Sequence, residues 1–396
     1  MKKVLIFITV IFFLISSTTS AAANKIDIEQ IKKRKVIVKK NIKQKIQKTI
    51  NFYSNTENIE NCKIKDMTVN KDVQLVSSGF ERFTFQRFKN PNNISLLVLP
   101  VSFKDLKFNN LNLLNLEDQM KIVKRFFNFN SYEKSNLNYT IAAKELWVDL
   151  PENMQYYGLS PNGKKISQDS LVQTILSNTK IELNLSSYDV VAIQTNANTN
   201  FYFAGGLIKI KDQEFVSPSG KVHSVILDGG QTSGKWQLIA HELGHAWLGF
   251  EDLYNHFNFS NPMKNWDFMA SAYNAEVIGW HRWSAGWIED KNVLCLLKNS
   301  NSFINLFSLN LKNENKLIAI KISDGKSIFI EYKTQSDYYF GKNTVIVYLV
   351  DTSIWHGHGP YSLIKELSEN DTSAIFDGLN ISVSDFTNNN VYVKIN

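Results

Sequence analysis

His241, Glu242 and His245 open the run HELGHAWLGFEDLYN, residues 241–255. On a helix, positions four apart share one face, so both imidazoles can turn toward a single ion. Zinc takes imidazole nitrogen at about 2.0–2.1 Å in a tetrahedral site. Glu242 follows the first histidine and can lean toward the open coordination position. A carboxylate there can take a proton from a metal-activated water, whose pKa the metal lowers toward about 7. The chemistry implied is hydrolysis, with one Zn2+ ion held by His241 and His245 and Glu242 as general base.

A third ligand is needed, and two adjacent acids compete for the place. In compact HExxH sites it lies six residues after the second histidine, which selects Glu251. Gly249 is suited to end the helix, because glycine adopts the left-handed conformation at little cost. It stands four residues after His245 where three is usual, as if one residue were inserted in AWL. Counted from this glycine, the ligand is Asp252. The glycine sets the turn, so Asp252 is favoured over Glu251, with His256 a weaker third choice.

The helix must be held from behind. GKWQLIAHELGHAWLGF has helical spacing, with Leu238, Ile239, Leu243, Ala246 and Trp247 placed to pack. Gly244 costs about 1 kcal/mol relative to alanine in a helix, and a small residue there lets another element approach. NISLLVLPVSFKD, from Asn93, is a continuous apolar run, expected as a strand buried on both faces. IAAKELWVDLP, SSYDVVAIQTN and KVHSVILDGG are expected as further strands, and Leu114 to Phe127 as a helix. This alternation predicts an α/β domain. If the KVHSVIL strand is a sheet edge, it can pair with a substrate backbone. From about residue 296, SFINLFSLNL, KLIAIKIS, SIFIEYKT, NTVIVYLVD and NVYVKIN predict an antiparallel sheet or sandwich.

Downstream, NWDFMASAYN places Met269 where a methionine turn would floor the metal, and Tyr273 where a hydroxyl would stabilise the transition state. HGHGP carries His356 and His358, read as an exposed polar loop in preference to a second metal site. Most of the five tryptophans between 247 and 287 are expected in the core.

The segments HELGH…GFEDLYN, NWDFMAS and WHRWSAGWIED together resemble the immune inhibitor A family of secreted bacterial metallopeptidases. The family's motif residues fall on Gly249, Asp252-Leu253-Tyr254, Trp266-Asp267-Phe268-Met269 and Gly286-Trp287-Ile288. Weaker echoes extend the likeness over roughly residues 93–351, through LLVLPVSFKDLKF, IFIEYKT and VIVYLVDT. The resemblance implies a zincin-like, metzincin-like catalytic domain: a mixed sheet with a zinc-binding helix, followed by a β-rich, sandwich-like region. It implies a zinc endopeptidase acting on protein or peptide substrates, with His241, His245 and Asp252 as ligands and Glu242 as base. Ca2+ is implied by the resemblance alone, and no Asp-rich loop places it. The chain departs from the family pattern at the residue inserted before Gly249 and at Glu251, which replaces the usual proline.

The chain of 396 residues is 43% hydrophobic, ample for a large core. Residues 1–23 have a positive start at Lys2 and Lys3, a short apolar run and Ala21-Ala22-Ala23, the pattern of a cleavable export signal. Export to the periplasm or exterior follows, with no stable membrane insertion after cleavage. The formal charge of +7 is concentrated. Lys2 and Lys3 account for +2, and residues 24–50 hold ten Lys/Arg against Asp27 and Glu29, a net +8, so residues 51–396 carry −3. A nucleic-acid partner needs basic residues across a folded face, and this distribution excludes it. Residues 24–90 are read as a basic N-terminal region and candidate propeptide, with Val38, Ile42, Ile46 and Ile50 forming one helical stripe. Residues 91–295 are read as the catalytic domain and 296–396 as the β-rich domain, in a monomer. Cys62 and Cys295 permit one disulfide in an exported chain. The competing classes are a catalytically inactive zincin-like adhesin or binding module, and a metal hydrolase of another bond. Retention of Glu242 argues against the first, and the DLY and methionine segments against the second.

Overall fold

The computed structural model describes residues 56–68, 76–80, 92–158, 166–195, 204–208, 214–228, 236–270, 276–312, 315–355 and 357–396. The expected leader, the stripe Val38–Ile50, Tyr273 and His356 lie outside them. The protein is of mixed α/β class, with few helices, several sheets and β-structure predominant among the described residues.

The first sheet is built on β1 (Asn93–Ser102), whose apolar run is buried from Leu96 onward. Its neighbours are β2 (Asn136–Ile141), β3 (Val148–Asp149) and β4 (Val190–Thr195), all parallel to it. β5 (Ala204–Ile208) precedes a short hairpin of β6 (Phe215–Ser217) and β7 (Gly220–Val222), and β8 (Ser224–Asp228) follows. The order is β2-β1-β4-β8-β5, with β8 parallel to β4 and β5 antiparallel to β8. Two expectations are corrected here. IAAKELWVDLP contributes only the last residue of β2, Ile141, and the two-residue β3. The pairing beside β1 is made by the preceding NLNYTI, whose alternating burial on an edge strand left too little apolar content to stand out. KVHSVIL is not the edge, because the returning strand β5 covers β8 on its far side.

Helix α1 (Asn110–Asn130) starts at a reciprocal cap in which Asn109 and Asn112 side chains each accept the other's backbone N–H at 3.0 Å. Its buried stripe of Leu116, Met120, Val123 and Phe127 faces the core. α2 (Gln168–Ser177) packs beside the hairpin, and α3 (Trp236–Ala246) carries the two histidines and packs on α1, β5 and β8. α4 (Gly279–Ser284) is buried throughout.

Beyond α4 lie two further sheets. β9 (Val293–Leu297), β11 (Leu317–Ser323), β12 (Lys326–Lys333), β13 (Thr344–Asp351) and β14 (Tyr361–Leu367) form one, in the order β14-β13-β12-β11-β9. β10 (Ser302–Phe307), β15 (Ser373–Phe376), β16 (Leu379–Ser384) and β17 (Asn390–Ile395) form the other, in the order β10-β17-β16-β15. Ile318, Ile320, Ile328, Ile330, Val345 and Val347 turn toward the four-stranded sheet and make the core of a sandwich. Their alternates Leu317, Ala319, Phe329, Ile346 and Tyr348 join the core that also holds the histidine helix. The five-stranded sheet is therefore buried on both faces, and β9 runs across the expected boundary at residues 295/296.

The described part of the N-terminal region is integral to this body. Cys62 is disulfide-bonded to Cys295 on β9. Phe80 packs edge-on against Trp280 and Trp283. Ser77 donates its N–H to the Gly249 carbonyl at 3.0 Å, and the Ser78 carbonyl accepts from Trp280 Nε1 and Tyr361 Oη, both at 3.1 Å. Residues 24–90 thus include a segment that braces the end of α3. Among the described residues no helix is long and apolar enough to cross a membrane.

Candidate metal centre

α3 carries apolar Ile239, Ala240, Leu243 and Ala246 into the core. His241 and His245 point their rings to a common side, with centroids 4.9 Å apart. The helix ends at Gly249, whose φ of +65° is left-handed, and the Phe250 N–H returns to the Gly244 carbonyl at 3.0 Å. Phe250 is buried and stacks on His281 with ring centroids 4.2 Å apart. Leu253 N–H then bonds the Met269 carbonyl at 3.1 Å. The strand of chain between these anchors delivers Asp252 to the histidines.

Asp252 Oδ1 lies 3.0 Å from His241 Nε2 and 3.3 Å from His245 Nε2. These three side chains form the one group among the described residues whose donor atoms could hold a metal. Glu251 is buried but is not part of it. Asp252 Oδ1 is buried and makes no hydrogen bond of acceptable direction, despite its closeness to both nitrogens. The three donor atoms lie within 4.8 Å of one another. Tetrahedral bonds of about 2.0–2.1 Å place neighbouring donors roughly 3.3 Å apart, so the spacing fits a zinc-sized ion. Two imidazoles and one carboxylate also suit other first-row metals.

The far side of each ring is held as well. His241 Nδ1 contacts the Phe268 carbonyl at 3.1 Å and His245 Nδ1 the Phe250 carbonyl at 2.6 Å. A carbonyl only accepts, so each Nδ1 carries a hydrogen and each Nε2 is turned to the centre. His256 Nε2 bonds the other carboxylate oxygen, Asp252 Oδ2, at 2.8 Å. Tyr254 lies over the His241 ring, with centroids 6.4 Å apart and planes 24° from parallel.

The electrostatics follow from this crowding. Burial opposes charge on His241, but the carboxylate of Asp252 beside its Nε2, with Glu242 and the Phe268 carbonyl, raises its pKa to about 9. Burial also opposes charge on Asp252, yet His245, His241 and His256 hold its carboxyl well below the usual range. His256 is raised by its bond to Asp252 against the effect of burial. Burial, then Asp252 and Glu242, push the Tyr254 hydroxyl up.

Met269 is fully buried beneath α3, against Gly244. Asp267 holds its turn: Oδ1 accepts the Met269 N–H at 2.7 Å, and Oδ2 accepts the Ile278 N–H at 2.8 Å and faces His281 Nδ1 at 3.0 Å. Glu242 is buried on α3 near enough for its charge to act on His241 and Tyr254. Trp247, Trp280, Trp283 and Trp287 are core residues, whereas Trp266 is half-buried against Tyr339. His358 is exposed, with its ring 4.8 Å from that of Phe257. Tyr254 and Asp267 were read from sequence as motif residues without a role at the group, and the two carbonyls were not read at all. Tyr254 was visible as part of the DLY segment, but backbone carbonyls leave no sequence signal.

No protein-family model matches this chain, and no curated protein matches it.

Proposed function

We propose that this chain is an exported zinc-dependent endopeptidase with a zincin-like catalytic domain. The single observation that carries the reading is the buried oxygen Asp252 Oδ1, set 3.0 and 3.3 Å from two imidazole nitrogens and hydrogen-bonded to neither. Together with the Glu in HExxH, that arrangement is suited to peptide hydrolysis. His241, His245 and Asp252 would hold the ion. Zinc bound there would supply Lewis acidity to the carbonyl and lower the pKa of the attacking water. Glu242 would accept that water's proton and return it to the leaving amine. The edge strand β5 would offer backbone groups for pairing with an extended peptide. Among the described residues, the Tyr254 hydroxyl would be placed to stabilise the transition state, beside the role read for Tyr273, which lies outside them. The disulfide supports an oxidising compartment.

The experiment is metal analysis and casein cleavage by wild type and Glu242→Gln, with and without chelator. The expected result is zinc in both proteins, with chelator-sensitive cleavage by the wild type alone. Full activity in Glu242→Gln overturns the mechanism. Zinc without cleavage in the wild type would move the protein to the binding-module class.

A further inference from the structure

The loop HGHGP, between β13 and β14, reaches the metal centre through Gly357. The Gly357 carbonyl accepts the His256 N–H at 2.8 Å. Its φ of +73° is left-handed, and a β-carbon there would stand 2.5 Å from His256 Nδ1. Beside this contact, Asn255 pairs with His358 in an antiparallel bridge. The Asn255 side chain accepts the Phe257 N–H at 2.8 Å, and the Asn255 backbone N–H donates to the Ser260 carbonyl at 2.8 Å. The backbone on both sides of His256 is therefore fixed.

The imidazole so placed meets Asp252 Oδ2 at 2.8 Å. A carboxylate can rotate about its last bond and present either oxygen, or both, to an ion. With Oδ2 engaged, Oδ1 is the oxygen that faces His241 and His245. The Tyr254 ring, 5.3 Å from that of His256 and 6.4 Å from that of His241, fills the space between the two. Groups of this kind, bonded to a ligand rather than to the metal, orient the ligand and tune its affinity.

We propose that His256, seated on Gly357, is a positioning residue for metal binding, so that a loop of the C-terminal sheet completes the centre. The proposal rests on the reading that His241, His245 and Asp252 hold zinc. Gly357 serves by lacking a side chain: only glycine lets the loop lie flat against the ring at that backbone angle.

The test measures zinc affinity of the full chain by competition with a chromophoric chelator. His256→Ala is expected to weaken zinc by roughly 10- to 100-fold. His256→Gln, whose Nε2 can donate from nearly the same place, should recover most of that loss. Gly357→Ala should weaken zinc in the same direction, while His358→Ala stays at the wild-type value. Wild-type affinity in His256→Ala overturns the proposal. So does loss in His256→Gln as complete as in His241→Ala, which would make His256 a ligand. If the wild type binds no zinc, or His241→Ala binds it normally, the underlying zinc reading fails and this proposal falls with it.

Discussion

Met269 Sδ lies 2.5 Å from the point where a β-carbon on Gly244, the residue before His245 on α3, would sit. The Phe268 ring lies 3.0 Å from the same point. The glycine is thus where the helix and the turn beneath it touch. Gly244→Ala would gain about 1 kcal/mol of helix propensity. The forced shift of two buried side chains costs about 1–3 kcal/mol, so a net loss is expected. A chemical denaturation curve reads the sign directly. Adding Met269→Ala to Gly244→Ala should relieve part of the crowding, and a Gly244→Ala midpoint at or above wild type would refute the account.

Asp252 and Glu251 can be separated by metal content. Asp252→Ala removes the oxygen that faces both Nε2 atoms, and zinc should be lost or weakened by orders of magnitude. Glu251→Ala should keep it. Zinc lost in Glu251→Ala alone would reverse the choice between the neighbours.

Lys316 offers a prediction in pH. Its ammonium is buried over the Tyr132 ring, 3.9 Å from the centroid. Burial first, then Arg282, Lys134 and Lys312, push its pKa down to about 7 from 10.5. Between these values the unfolded chain binds more protons than the folded one, so this residue's contribution to stability rises with pH. Its penalty is full below about pH 7 and fades toward pH 10.5. Lys316→Met should therefore raise the melting temperature at pH 6, with a gain that shrinks by pH 10. A lower melting temperature at pH 6 would show that the contact with Tyr132 outweighs the desolvation.

The disulfide closes a separation of 233 residues and ties the N-terminal segment to β9. Cross-links of this kind contribute about 2–5 kcal/mol, mainly by restricting the unfolded chain. Cys62→Ser with Cys295→Ser should lower the thermal midpoint by several degrees, and reductant should do the same to the wild type. An unchanged midpoint in both would argue against the bond.

Much of the arrangement was legible in local pattern. The apolar run of β1, the stripe of α1 and the spacing on α3 each follow from a period that one element imposes by itself. His241 and His245 share a face for the same reason. Gly249 could be read as the end of the helix because few other residues take a left-handed backbone cheaply. Counting from it singled out Asp252, the acid that the structure brings to the rings. The reading of KVHSVIL as an edge failed because strand order depends on where a later or earlier segment returns, and β5 returns on its outer side. The strand NLNYTI was missed because an edge needs little apolar surface.

The sequence by itself determined the elements and the chemical types of the site: two imidazoles on one helical face, a carboxylate beside them, and acids past a glycine turn. Only the tertiary structure decided which oxygen of Asp252 faces the histidines, which carbonyls hold their far nitrogens, and that Ser77 and Gly357 reach the same neighbourhood. The contacts of Ser77 with Gly249 and of Gly357 with His256 join residues more than a hundred positions apart. They are set by how the two sheets and the buried five-stranded layer pack, and no local periodicity encodes such contacts.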